Sequence, residues 1–187
     1  MGNDHSKVVI NDETFGKDGH FKAHIKLYDG MDRSERIKLR EACQAWISVW
    51  QTREFKEWVL SFPFQDTELS NEQIYEKLIG SSAHAINVLD SDAEIEIWVN
   101  HSSSGNELHT VFSHDGKQWA GSKYLMTYSA AKLAGHLAHD YCRHLNFLHI
   151  NNTAERSVPF AVGKKTKRMA EAASYAFAEA TSAKYFG

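Results

Sequence analysis

The segment from 129 to 149 restricts the fold of this chain more than any other part of its 187 residues. Its apolar residues recur at every fourth position, the spacing of one helix face; they are Leu133, Leu137, Tyr141 and Leu145. Asn146 follows them, and asparagine is one of the residues that can end a helix in the left-handed region. Four histidines lie between positions 136 and 149. The segment therefore predicts a helix over 129–145 that carries several imidazoles.

One face of this helix is polar. At 100° per residue, a face about 100° wide holds His136, His139, Asp140 and Arg143. Zinc is bound by neutral imidazoles and carboxylates that converge on one point. A helix can supply them as H-E-x-x-H, and an extended form adds a turn and a third histidine, H-E-x-x-H-x-x-G-x-x-H. The polar face is therefore a candidate metal site.

The segment matches that extended pattern in part. His139 and His149 occupy the first and last ligand positions, and Asn146 can replace the turn glycine because it tolerates a left-handed backbone. Asp140 stands at the position of the general base, where its side chain is one methylene shorter than glutamate. Arg143 stands at the middle ligand position, although a guanidinium has no lone pair for a metal. We expect Arg143 and Asp140 to form an ion pair in this vestigial site.

Two interpretations of the histidines stay open. In the first, no cofactor is bound, and His139 and His149 are hydrogen-bonded inside the protein. In the second, zinc is held by His139 and His149, with His136 as the substitute for the missing third histidine.

Three stretches resemble the metzincin clan of zinc metallopeptidases, in particular a poorly characterised bacterial and phage group. "LAGHLAHDYCRHLNFLH" (133–149) is similar to that group's zinc-binding helix, and "ERSVPFAVG" (155–163) to the turn that follows it. "TVFSHDGKQWAGSKYL" (110–125) is similar to the strand–turn–strand before the helix. Phe160 stands where the group has a tyrosine whose phenol could assist an oxyanion.

The resemblance implies an α+β fold: a twisted, mostly antiparallel sheet packed against helices, including a long site helix and a long C-terminal helix. Because Asp140, Arg143 and Phe160 replace the groups that would do chemistry, it implies a catalytically disabled pseudopeptidase used for protein binding, self-assembly or both. The distribution of the family suggests a phage or prophage structural or accessory protein. The alternative is a zinc-dependent peptidase with an altered ligand set.

Local patterns predict a single domain over 1–187. The polar segment 1–30 contains one strand, and three further strands between 93 and 126 form a meander. Helices are predicted over 34–50, 52–62, 70–80 and 165–185, besides the histidine-rich helix. Ser70 and Gln73 have the spacing of a capping box, and Gly80 that of a left-handed C-terminal cap.

The net charge of −3 gives no overall attraction to nucleic acid or anionic membranes. Two cysteines do not form a disulfide framework, and no secretion signal or membrane span is visible, so we expect a cytoplasmic or virion-associated protein. We expect Cys43 and Cys142 to be packed thiols. Trp46, Trp50 and Trp58 are expected in the core or at a seam between helices.

A basic run lies at the predicted start of the last helix and consists of Lys164, Lys165, Lys167 and Arg168. Cations at a helix N-terminus oppose the helix dipole, so the run does not stabilise its own helix. It is either an ordinary solvated end or a patch that binds anions or a protein partner. A basic module that binds nucleic acid or other anions is therefore a third functional hypothesis.

Overall fold

The computed structural model describes the backbone of residues 9–15, 23–28, 32–80, 93–100, 111–112, 117–147 and 154–186. It describes side-chain surroundings for 32–80, 125–147 and 155–176. His149 lies outside the described residues.

The described residues form helices and short strands. The helices are α1 (Arg33–Trp50), α2 (Arg53–Ser61), α3 (Asn71–Ile79), α4 (Ser122–Thr127), α5 (Ala130–His144) and α6 (Val158–Phe186). The strands are β1 (Val9–Phe15), β2 (Ala23–Tyr28), β3 (Ala93–Asn100), β4 (Val111–Phe112) and β5 (Lys117–Gly121). A short 3-10 turn, Ala154–Arg156, precedes α6.

The predicted helices in the first half of the chain are confirmed. Helix α3 begins with the predicted capping box: the Gln73 N–H donates to the Ser70 side chain, and the Gln73 side chain accepts from the Ser70 N–H at 2.9 Å. The predicted left-handed cap at Gly80 is wrong, because its φ is −105°. The Gly80 N–H instead continues the helical pattern with a 2.7 Å bond to the Glu76 carbonyl.

Aromatic residues fill the centre of the helical core. The rings of Trp46 and Trp50 lie 5.4 Å apart at nearly right angles, and Tyr141 of α5 lies 5.3 Å from Trp46. Phe55 stacks on Trp50 at 5.2 Å and contacts the partly buried Trp58. The predicted positions of the three tryptophans are thus confirmed. Truncation of such a buried ring typically costs about 3–5 kcal/mol.

A buried hydrogen bond joins α1 to α6. The indole N–H of Trp50 donates to the Thr166 hydroxyl at 2.9 Å, and both side chains are buried. A neutral hydrogen bond of this kind contributes about 1 kcal/mol net, and loss of one partner costs more because the other is left unsatisfied in the core. The bond therefore fixes how α6 lies on α1.

Helices α5 and α6 approach each other through a pair of glycines. A Cβ added to Gly135 would lie 2.8 Å from the Gly163 carbonyl oxygen, and one added to Gly163 would lie 2.7 Å from the Gly135 carbonyl oxygen. These distances are shorter than real Cβ contacts, so only glycine fits at either position. The same added atom on Gly163 would lie 2.9 Å from the Cβ of His139, which places the histidine-rich face of α5 directly beside α6.

The predicted fold class, α+β with a mostly antiparallel sheet packed against helices, is wrong. Over residues 32–80, 125–147 and 155–176, whose side-chain surroundings are described, about 80% are helical and no strand occurs, so the described core is built by helices. The strands lie outside those residues and form a mixed sheet in the order β1-β2-β3-β5-β4. Its two central pairings, β2 with β3 and β3 with β5, are parallel.

The predicted meander is also wrong. Strands β4 and β5 pair antiparallel, but β4 is only two residues long and lies at the edge, while β3 pairs with β5. Residues 122–127, predicted to continue the last strand, form α4. Alternating apolar residues indicate a strand without stating which neighbour it pairs with, and here the pairing does not follow chain order.

Two boundaries differ from the sequence prediction. The segment 1–30 contains two paired strands, β1 and β2, where one was predicted. The last helix begins at Val158, seven residues before its predicted start, because Pro159 lies in the first turn of α6, where its missing N–H costs nothing. Among the described helices, none is both long and apolar enough to cross a membrane.

We predict that Gly163→Ala destabilises the protein even though alanine favours a helix by about 1 kcal/mol over glycine. The new methyl would press on the Gly135 backbone, and overpacking of this kind costs about 1–3 kcal/mol. Urea denaturation measures the free energy of unfolding.

The matched control is Ala172→Gly on the exposed part of α6. It changes helix propensity without a packing contact and should lower the free energy of unfolding by about 1 kcal/mol. If Gly163→Ala instead raised the free energy of unfolding, the close helix crossing would be contradicted.

Candidate functional site

The ends of α5 are fixed by local hydrogen bonds. The Ser129 side chain accepts from the Lys132 N–H at 3.2 Å and caps the start of the helix. At its end, Asn146 has φ 62°, so the predicted left-handed termination is confirmed. The Phe147 N–H donates to the Cys142 carbonyl at 3.0 Å, and the Asn146 N–H donates to the Arg143 backbone carbonyl at 2.9 Å. This Schellman motif sets the direction in which the chain leaves α5.

The predicted polar face of α5 is divided between the protein interior and solvent. Asp140 is buried with 5% exposure, His136 and His139 are partly buried, and Arg143 is exposed. The structure therefore brings His136, His139 and Asp140 towards the side of α5 that packs in the protein. It does not bring Arg143 with them.

The predicted ion pair between Arg143 and Asp140 is not formed. Among the described residues, none of the salt bridges involves Arg143. The two residues are three apart, or about 60° around the helix, and the boundary between buried and exposed surface passes between them. The prediction failed because helical spacing gives angular proximity but not the depth of each side chain.

Positive charges surround His136. Burial lowers the pKa of its imidazole, and the ammonium groups of Lys132 and Lys167 lower that pKa further. The Tyr128 ring lies 6.4 Å from the imidazole, and Lys132 lies over that ring at 3.4 Å from its centroid. His136 is therefore neutral near pH 7, but the site around it is unfavourable for a further cation.

The other described histidine with a shifted pKa is His144. Burial lowers its pKa, and its ring lies 6.3 Å from the ring of Tyr141. Like His136, it is a neutral imidazole under physiological conditions.

A metal site is not complete within the described segments. There, no group of three or more His, Cys, Asp or Glu side chains is arranged to hold a metal ion. Of the two predicted motif ligands, His139 lies within the described residues and His149 does not, so their pairing stays a prediction. The predicted substitute, His136, lies close to His139 on the same helix, but the charges of Lys132 and Lys167 act on its imidazole.

Cys142 is fully buried, and burial together with the charge of Asp140 raises the pKa of its thiol well above the usual value. A thiol that does not ionise is a poor nucleophile. Cys43 is likewise buried in α1. Both cysteines are thus packed in the core, as predicted.

Phe160 lies in the first turn of α6 and is 37% exposed. Lys164 lies 6.0 Å from the centroid of its ring. A phenyl ring cannot donate a hydrogen bond to an oxyanion, so this position carries no catalytic group.

Three of the four cations in the predicted basic run lie beside glutamates. Lys165 forms a 2.7 Å ion pair with Glu54 of α2, while Lys164 and Lys167 lie 3.7 Å and 3.6 Å from Glu155 and Glu171. The fourth cation, Arg168, is exposed. Since α6 begins at Val158, the run also lies beyond the first turn of the helix and not at its N-terminus.

Sequence reasoning missed the contribution of Lys132 and Lys167 to this site, and it missed the glycine pair that brings α6 against α5. The available signal was a glycine inside each of two helical patterns, "LAGHLA" and "AVGKK". A glycine inside a helix costs stability unless a neighbouring backbone needs the space.

Comparisons with known proteins give no relative. No protein-family model, curated protein or solved structure shows significant similarity to the chain.

We predict that the protein loses stability as pH falls below about 6.5, the ordinary pKa of histidine. The lowered pKa of His136 means that the unfolded chain takes up the proton first. The stabilisation is fully present above the unfolded pKa and is lost as pH falls through the folded pKa. Urea denaturation at several pH values between 7.5 and 4.5 measures this loss.

His136→Gln should reduce the loss of unfolding free energy at low pH, because glutamine does not titrate. Lys167→Gln should reduce it in part, since one of the two charges that lower the pKa of His136 is removed. Identical pH profiles for the wild type and both variants would contradict this account.

Proposed function

We propose that this chain is a non-catalytic binding or assembly domain whose helix α5 resembles a zinc-peptidase helix that has lost its metal-binding set. The observation that carries the proposal is the charge around the α5 face. The ammonium groups of Lys132 and Lys167 lie close enough to His136 to lower its pKa. Fixed positive charges next to the candidate imidazoles disfavour a dication there by direct repulsion.

The packing of the same face supports the proposal. The backbones of α5 and α6 meet at Gly135 and Gly163, and His139 lies against that crossing. A substrate cleft would need open space on this side of α5. Here that space is occupied by α6, which packs against α5. The face contributes to the stability of the helical core in place of binding a substrate there.

The surface of α6 supports a role in binding or assembly. Ala170 is the last buried residue of α6 in the described part, and residues 172–176 are all exposed, including Tyr175 at 73%. The helix nevertheless continues to Phe186. Five consecutive exposed positions on α6, with the Tyr175 ring among them, offer a surface for another molecule.

We predict that protein purified without added zinc contains much less than one zinc per chain, as measured by inductively coupled plasma mass spectrometry. His139→Ala and His149→Ala should leave that content little changed. Stoichiometric zinc that both substitutions abolish would overturn the proposal and favour a zinc peptidase with an altered ligand set.

Restoring the peptidase pattern gives a complementary prediction. In Arg143→His/Asp140→Glu, a second imidazole stands one turn from His139 and a fixed charge is removed, so we expect measurable zinc binding by calorimetric titration. Arg143→Gln/Asp140→Asn is the matched control and should not bind zinc. If the restored variant also failed to bind zinc, the resemblance of α5 to a zinc-binding helix would be limited to its sequence, because its side chains would not be placed to bind the metal.

A further inference from the structure

Helix α6 is exposed on every side over residues 172–176. All five positions are exposed, and Tyr175 is 73% exposed. Five consecutive residues cover more than one complete turn of a helix, so no side of α6 is buried at this level. The backbone nevertheless remains helical as far as Phe186.

The exposed stretch carries no charge. Residues 172–178 read "AASYAFA", without an acidic or basic side chain. A helix surface that faces water normally carries charged residues, whereas a helix that is apolar on all sides is normally covered. Tyrosine is enriched where proteins meet, because its ring is apolar and its hydroxyl can bond to a partner. The composition of this stretch therefore favours contact with a protein over contact with water.

Opposite charges flank the uncharged stretch on one side of α6. Arg168 precedes it and is exposed, and among the residues with described surroundings no ion pair involves Arg168. Glu179 follows it on the same helical backbone. Four positions, which we call the α6 row, are separated by four, three and four residues and lie within about 60° around the helix; they are Arg168, Ala172, Tyr175 and Glu179. This is the spacing by which one helix meets another in a coiled coil.

We propose that two copies of the chain associate by antiparallel pairing of their α6 rows. When the two helices overlap over residues 168–179, Arg168 of each protomer lies opposite the partner's Glu179. Tyr175 lies opposite the partner's Ala172, where a methyl group leaves room for the ring. Because the arrangement has two-fold symmetry, each of these contacts is made twice.

The order of residues in the row favours a second copy over an unrelated protein. In the antiparallel direction, the row places its anion opposite its own cation and its small residue opposite its own aromatic ring. A parallel pair in register would instead place Arg168 beside Arg168 and Glu179 beside Glu179, and like charges oppose that orientation. At the border of the antiparallel pair, Glu171 lies near the partner's Ala178, so no further like charges meet there.

The paired segment is short, because residues 168–179 span only about 17 Å of helix. Specific interfaces usually take roughly 20–30 residues from each side, so association through the row alone should be weak and depend on protein concentration. The inference names the partner for the binding or assembly role proposed above and rests on that role.

Sedimentation equilibrium of the full chain between micromolar and millimolar concentration tests the proposal. The weight-average mass of the wild type should rise from 21.2 kDa towards twice that value. Arg168→Glu and Glu179→Arg should each weaken association at least about tenfold, because like charges then meet at both ends of the pair. An equal mixture of the two variants should associate as the wild type does, since every contact between 168 and 179 again joins opposite charges.

The matched control is Arg33→Glu, which makes the same charge reversal at an exposed position of α1. It should associate as the wild type does, because Arg33 lies outside the α6 row. Thermal unfolding of every variant at micromolar concentration verifies that it is folded.

Three results would overturn the proposal. The first is a wild type that stays monomeric at millimolar concentration, which would assign the surface to a different protein. The second is unchanged association in both charge-reversal variants of the row. The third is a mixture of these variants that associates no better than either one alone. Zinc content is measured separately, so a monomeric chain without zinc would refute the self-association and leave the non-catalytic role in place.

Discussion

The close approach of two helix backbones at Gly135 and Gly163 is the constraint on which the described core depends. Without a side chain at either position, α5 and α6 come together until each glycine lies against the carbonyl of the other. That approach brings Thr166 to the indole of Trp50 and sets His139 against α6. Close packing of this kind tolerates little change in volume. The positions of both α1 and α5 relative to α6 therefore depend on the distance between the two helix backbones at this crossing.

Local sequence signals predicted the helices well, because their causes are local. The capping box at Ser70, the left-handed end at Asn146 and the apolar period of α1 each involve residues within a turn or two of one another. The sheet was predicted poorly, because pairing joins residues far apart in the chain. Nothing in the strand of 93–100 states that its neighbours are β2 and β5, both parallel to it.

The candidate site shows the same division between local and non-local causes. Helical spacing correctly placed His136, His139 and Asp140 on one side of α5. It also placed Cys142 away from that face, as expected for a packed thiol. Spacing did not predict that Arg143 is exposed while Asp140 is buried, since that depends on what lies against the helix. It also did not predict the approach of Lys167 to His136, because these residues meet only through the glycine crossing.

The hydrogen bond between Trp50 and Thr166 gives the protein an internal optical reporter. Trp50 is 1% exposed, stacks on Phe55 and reaches α6 through its indole N–H. Separation of α6 from α1 would break that bond and admit water to the ring, which shifts tryptophan emission to longer wavelength. Intrinsic fluorescence can therefore follow the docking of α6 without any added label, as a change against the emission of the other four tryptophans of the chain.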